Sequence, residues 1–501
     1  MLRLIATICT GAVLICRAAP VFWLPAKNIV DTNDVVTAGT LKYAVSAAFS
    51  DTIRSVNGVR FSASKLPPNS GGVVLSGNSA VRTAHYSLPP YINLTADYKG
   101  ILDNAWISSQ SGSVTGIVSG LTLGKRYSIQ VWGNNSSDSV VPGKEYVMTF
   151  LVTNSPSRVL DFNVGNDLGL LGQHIVGHFV ADEETQRFIV KASTYSYVFI
   201  NAIQVREDVP LNRWSGTDGL VRPEDFDADG LLAFEDLPGV STNTFAFAAP
   251  VTNKLFWFLG DETVYRPVAS NKLMGGDVFL SGAAPIVWIG SNTVSNVVIS
   301  SRSTLQFGES RTNGGLLRAN AVWCWGTLRW TGSGFVSLGS AGVYMGGGTF
   351  CVDSSGVVEV AADQLGFTGL VSVVSGTLRL GRNAALRNAV YRLERDGCCE
   401  ALTQANPFQA RGLSGSGKLR LKYSSTSRGA TLTGPVEGTG LQIEPVGLPS
   451  LTNGFTWQVF SAPAVSGTFD LTISDSAWRL SNPDGKSLWF VPHSGTLLRL
   501  R

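Results

Sequence analysis

The chain has 501 residues, 44% of them hydrophobic and 15% charged, with 55 glycines and a formal net charge of +3. That is too apolar and too weakly charged for a disordered chain, and it supplies material for more than one core. The basic residues are scattered rather than gathered into a stripe, which argues against nucleic acid as a partner.

Residues 1–18 have the layout of a secretory signal peptide: Met1-Leu2-Arg3 is a positive start, Leu4 to Cys16 an apolar run, and Ala18 and Ala19 are small residues at a cleavage point. The run is short beside the about 20 residues a spanning helix needs. Cleavage after Ala18 and a secreted or cell-surface address are therefore expected. No later run suits an integral membrane segment, because Ser291, Asn292, Ser295 and Asn296 interrupt the longest one, Ala284 to Ser300.

Residues 33–206 read as an all-β domain, with short strands between turn clusters such as Pro67-Pro68-Asn69-Ser70-Gly71-Gly72 and few helical patterns. That pattern predicts a jelly-roll-like β-sandwich. In Tyr127-Ser128-Ile129-Gln130-Val131-Trp132, alternation puts Tyr127, Ile129 and Val131 on one face and Gln130 and Trp132 on the other. With the first face in the core, Trp132 and Gln130 are the expected ligand-binding pair, an aromatic platform beside an amide. Trp106 and Tyr146 are weaker candidates of the same kind. His174 and His178 lie about 13 Å apart at strand rise, too far for one ion.

The phrases Asp34-Val35-Val36-Thr37-Ala38-Gly39-Thr40-Leu41, Gly177-His178-Phe179-Val180-Ala181-Asp182 and Asn201-Ala202-Ile203-Gln204-Val205-Arg206 resemble sandwich modules of large exported bacterial proteins. Such modules are similar to galactose-binding-like domains. The resemblance implies a glycan or cell-surface polymer as partner.

Residues 207–250 read as an acidic linker. Within it, Asp225-Phe226-Asp227-Ala228-Asp229-Gly230-Leu231 continues to Asp236 and matches D-x-D-x-D-G with an acid at position 12. Carboxylates at positions 1, 3 and 5, a turn glycine and a carbonyl at position 7 are the donors a calcium loop uses. One structural Ca2+ held by Asp225, Asp227, Asp229, Leu231 and Asp236 is expected. The loop resembles those of EF-hand and dockerin modules, although Pro238-Gly239 cuts short the helix such loops require.

Residues 251–440 repeat a glycine-led strand: Gly326-Thr327-Leu328-Arg329-Trp330, Gly348-Thr349-Phe350-Cys351-Val352, Gly376-Thr377-Leu378-Arg379-Leu380 and Gly417-Lys418-Leu419-Arg420-Leu421, with an echo at 495–500. Thr spacings of 22 (349 − 327) and 28 (377 − 349) match the roughly 20–30-residue rung of a solenoid. A right-handed parallel β-helix is predicted, closed by a β cap over 441–501. The stretch from Phe367 to Leu386 resembles the autotransporter-associated β-strand repeat, which implies a β-helical stalk in an exported protein.

Four cysteines follow the leader, Cys324, Cys351, Cys398 and Cys399, and the first two adjoin successive repeats, where a bridge is conceivable. The solenoid acids Asp353, Glu359, Asp363, Glu394 and Asp396 show no catalytic spacing. The expected function is a non-catalytic exported protein, an adhesive or carbohydrate-binding module on a β-helical stalk. The alternatives are a polysaccharide-active lyase or hydrolase, which requires acids clustered on one solenoid face, and a purely structural surface-layer protein.

Overall fold

A computed structural model describes residues 19–492 apart from 51, 69–71, 137–145, 153–154, 194–195, 217, 228, 269–272, 290, 310–316, 339–341, 383–384, 403–406, 424–428, 449–455 and 472–477. Residues 1–18, expected to be a leader, and the echo at 495–500 lie outside the described residues. Two compact units follow one another, Met1–Pro210 and Leu211–Arg501. Strand accounts for 56% and helix for 4%, so both units are built from β-structure as the turn-rich sequence predicts.

In the first unit one sheet runs, in spatial order, Phe22–Trp23, Gln173–Val180, Arg126–Gly133, Ala202–Glu207, Thr40–Ala47, Val59–Ser64 and Arg54–Val56, with Lys27–Asn28 beside Gln173–Val180. A second orders Ser155–Asp161, Val147–Val152, Thr185–Ala192, Ser113–Ser119 and Val73–Ser76. Alternation decides their facing sides: Tyr127, Ile129, Val131, Ile175 and Val205 from the first sheet join Val114, Phe150, Phe188 and Val190 from the second in one core. The opposite side of the first sheet is also covered. Trp132, Ala202, Phe61 and Val59 form a second core with Tyr98, Ile101 and Leu102 of the helix Ala96–Leu102. Thr95 caps that helix by accepting from the Tyr98 N–H at 3.3 Å. The unit is therefore a sandwich with a third, partly helical layer.

The second unit is a parallel β-solenoid of about 9 turns. Its first coil is the segment expected to be a linker. Leu220–Val221 pairs in parallel with Thr242–Phe247, and Leu231–Phe234 with Leu255–Phe258. The physical reason is the apolar content between the acids: Trp214, Phe226, Phe234, Phe245, Phe256 and Phe258 fill the start of the core, with Phe234 stacked on Phe258 at 4.6 Å. The acids are left at the corners.

Further on, Thr304, Thr327 and Thr349 lie in successive register. Inward from them the column Leu305, Leu328, Phe350, Val371, Tyr391, Leu413, Val436 forms the core. Rings pack at a tilt beside this column, Phe307 against Trp330 at 5.0 Å and Trp330 against Phe350 at 4.8 Å. The interval of 22 read from the sequence is thus a true rung; the interval of 28 is not. Thr349 lies opposite Leu370, whereas Thr377 lies opposite Val357. The strand Thr349–Val360 shifts register between Val352 and Val357, so one long strand serves two ladders. The same glycine-led phrase starts either. The glycine is required by coil-to-coil contact: a Cβ on Gly348 would strike the Gly326 carbonyl, and one on Gly369 the Gly348 carbonyl.

The parallel stack runs past 440, through Val436–Val446 to Val465–Leu471. Closure comes later, where Trp457–Ser461 and Trp478–Ser481 pair antiparallel with Ser487–Pro492. Antiparallel pairing ends the repeat and caps the last coil.

Candidate functional site

The expected ligand pair is buried. Trp132 does face away from Tyr127, Ile129 and Val131, but it faces the second core and is 0% exposed. Its ring meets Phe61 edge-on at 5.7 Å and its Nε1–H donates to the Tyr98 hydroxyl at 3.3 Å. No ring face is left for a sugar, because the helix Ala96–Leu102 covers the side that strand alternation alone leaves open. Gln130 is equally occupied. Its Nε2 donates to the Asp34 carbonyl at 2.6 Å, and its Oε1 accepts from Val36 N at 3.0 Å and Gln204 Nε2 at 2.6 Å. Arg206 extends the row by donating to the carbonyls of Ala38 and Gly39 at 2.7 and 2.9 Å. This buried polar row binds the protein's own segment 34–39 to the sheet. Trp106 and Tyr146 also lie in the sandwich core. His174 sits at 3.1 Å from Gln130 Nε2.

The residues expected to hold calcium are divided between two places. Asp227 Oδ1 accepts from Asp229 N at 2.9 Å and Leu231 N at 2.8 Å, closing the loop on itself. Asp225 Oδ2 accepts from Arg222 N at 2.7 Å. Leu231 opens the strand Leu231–Phe234, and its carbonyl accepts from Asp227 N at 3.0 Å. Asp236 instead caps the next coil, accepting from Glu262 and Thr263 N at 2.8 Å and Asp261 N at 3.0 Å. Among the described residues no group of three or more His, Cys, Asp or Glu is placed to hold a metal ion. The position-12 acid has been taken by tertiary structure.

A different group of residues comes together at the surface of the first unit. Asn78–Thr83 pairs with Asn104–Ser108 so that Thr83 lies opposite Asn104. The excursion between them is closed at its base by Ala84 N donating to the Asp103 carbonyl at 2.8 Å. That register sets His85 beside Asp103, with Nδ1 at 3.1 Å from the Asp103 carbonyl and 3.7 Å from its carboxylate. A carbonyl only accepts, so Nδ1 carries a proton, and in the neutral ring Nε2 is an acceptor. His85 stacks on Tyr91 at 5.1 Å and 13°. The Tyr91 hydroxyl donates to Asp103, and burial first, then that carboxylate, pushes the phenol well above its usual range. Around this fixed trio Tyr86, Leu88 and Ile92 are 47%, 43% and 46% exposed. An exposed tyrosine next to a held imidazole–carboxylate pair supplies ring stacking and both hydrogen-bond polarities. Only the local half of this site, His85-Tyr86 with Pro89-Pro90 and Tyr91, is visible in sequence; Asp103 arrives through strand register.

On the solenoid, Glu359, Arg379, Glu400, Arg420 and Glu444 occupy one column in register. Acids do share a face, but they alternate with arginines. All four cysteines are free. Cys324 belongs to the core, whereas Cys351 alternates with the inward Phe350 and Val352. The two lie on opposite faces of the coil wall, as do the adjacent Cys398 and Cys399.

Comparison with protein-family models, with curated proteins and with solved structures returns no match for this chain. The family resemblances therefore rest on the motifs quoted above.

Proposed function

We propose that this is an exported, non-catalytic protein in which the sandwich binds a glycan or related cell-surface polymer and the β-solenoid serves as a stalk. The observation that carries the reading is the rim of the first unit, where exposed Tyr86 adjoins the held His85–Asp103 pair. Sugars present an apolar ring face edged by hydroxyls, and this rim offers a partner for each. The non-catalytic part draws support from the solenoid column, where Glu400 is bonded by Arg379 and Arg420 and Glu444 by Arg420. A polysaccharide-active enzyme needs a carboxyl free to exchange protons with substrate.

The test is the full processed chain on a broad glycan and polysaccharide panel beside Tyr86→Ala. Binding lost in the variant, at unchanged melting temperature, supports the rim as the site. Binding kept in the variant moves the site elsewhere. Silence across the panel favours the structural surface-layer alternative, and turnover of a bound polymer favours the enzyme.

A further inference from the structure

The segment that follows the expected cleavage point, Ala19 to Leu24, carries the first strand, Phe22–Trp23, and is held as core. Val21 is fully buried and Trp23 nearly so, with Trp23 against Phe150 at 5.1 Å and Phe188 at 6.0 Å. Phe22 pairs with His178 and Trp23 with Gly177, where a Cβ would strike Trp23 and Val21. Leu24 N donates to the Val176 carbonyl at 2.8 Å, and the Ala19 carbonyl accepts from Gln186 Nε2 at 3.0 Å. At the start of this segment the Ala19 N–H bonds the carboxylate of Asp182.

Asp182 is served by backbone donors alone, its own N–H and that of Ala19. Its Oδ1 is buried without a hydrogen-bond partner among the described residues. Burial, opposed by backbone bonds from Asp182 and Ala19 and aided by neighbouring Glu183, pushes its carboxyl up to about 6. The nearest lysine in the backbone pairing does not help: Lys125, whose main chain bonds Ala181, turns its ammonium to Asp208 at 3.1 Å. His178 lies opposite Phe22 on the adjoining strand. A buried carboxylate bonded only by backbone N–H groups, with no ion pair among the described residues, costs free energy.

We propose that cleavage after Ala18 supplies the missing cation, so that the new α-ammonium of Ala19 pairs with Asp182 and locks the first strand. The proposal rests on the export reading above. A peptidase of the export route adds water across the Ala18–Ala19 bond. Ala18 leaves as a carboxylate, and Ala19 keeps its nitrogen as an amine that takes up a proton near neutral pH. One N–H donor becomes three with a positive charge, enough to reach both carboxylate oxygens. Processing thereby completes the fold as well as releasing the chain. The pair holds the amine charged above its ordinary range and returns the carboxyl to the ionised form. Its stabilisation is present between the two titrations and lost as pH rises through that of the amine.

The experiment uses the exported full chain, its N-terminus read by intact mass. It is set beside Asp182→Asn and beside a chain released from a fusion with one extra glycine before Ala19. A start other than Ala19 overturns the cleavage reading, and the pair with it. With a start at Ala19, the expected result is acylation of the α-amine at pH 7 slowed at least about tenfold relative to Asp182→Asn. The natural chain should also melt higher than the glycine-extended one, with the gap closing at high pH and absent in Asp182→Asn. Equal labelling rates and equal melting in a chain that does start at Ala19 overturn the ion pair alone.

Discussion

Arg379 and Glu400 are neighbours across two rungs of the solenoid, with Arg379 Nε 2.9 Å from Glu400 Oε2. The other oxygen of the same carboxylate takes Arg420 from the next rung, and Arg420 Nε reaches Glu444 Oε1 at 2.9 Å. The Glu400 side chain is only 6% exposed, whereas the arginines are 41% and 31% exposed. One buried carboxylate thus ties three coils. Removing it leaves two half-exposed guanidiniums facing each other's rungs. Loss of one partner of a fully buried pair costs roughly 3–5 kcal/mol, and solvent screening of the arginines lowers that to about 2 kcal/mol here. Glu400→Gln is expected to destabilise the second unit by that amount in urea unfolding. A double-mutant cycle with Arg379→Met should show a coupling of at least about 0.5 kcal/mol.

Trp132→Ala removes the centre of the second core. A buried tryptophan truncated to alanine costs about 3–5 kcal/mol. The first unit should lose that much stability, and any ligand binding should fall with the folded fraction. Trp132→Phe, which keeps the edge contact to Phe61, should lose far less and bind normally. Circular dichroism melting beside binding on the same samples separates the two effects.

Asp236 caps the second coil through three backbone N–H groups. Burial works to raise its carboxyl, but the bonds from Thr263, Glu262 and Asp261 outweigh it, so it titrates below the ordinary range. A depressed folded value stabilises the fold above the unfolded value of about 3.9, and that contribution is lost as pH falls through the folded one. Asp236→Asn is therefore expected to cost about 1–2 kcal/mol at pH 7. The gap between variant and parent should narrow as pH falls below the unfolded value of about 3.9, which thermal unfolding across the acid range will show.

Burial pushes the Cys324 thiol up to about 12 and that of Cys398 up to about 11, and it raises those of Cys351 and Cys399 as well. The thiolate is the reacting species. All four should stay free in the purified chain and resist iodoacetamide at pH 8 until denaturant is added. Mass spectrometry of the native and unfolded samples checks both points.

Much of this architecture is legible because its causes are local. A glycine before each strand and strict alternation after it define a solenoid, and Tyr127, Ile129 and Val131 identify their own core. Alternation places Trp132 on the correct side of its strand but does not give its surroundings, since the helix that covers it is a separate stretch of chain. The Asp225–Leu231 segment reads as a calcium loop and folds as a turn closed on the Asp227 carboxylate. Whether Asp236 joins it depends on the backbone of Asp261 to Thr263, one coil later. Register between the two ladders is equally non-local, which is why Thr377 looks like the next copy after Thr349 and is not.

The column Glu359, Arg379, Glu400, Arg420, Glu444 also has a parity. Duplicating or deleting a single coil within it would set like charges on adjoining rungs, with repulsion where attraction now holds. Adding or removing two coils together preserves the alternation. Along this stretch the stalk can change its length without electrostatic penalty only in even steps, which constrains how such a chain grows by internal duplication and how it can be lengthened by design.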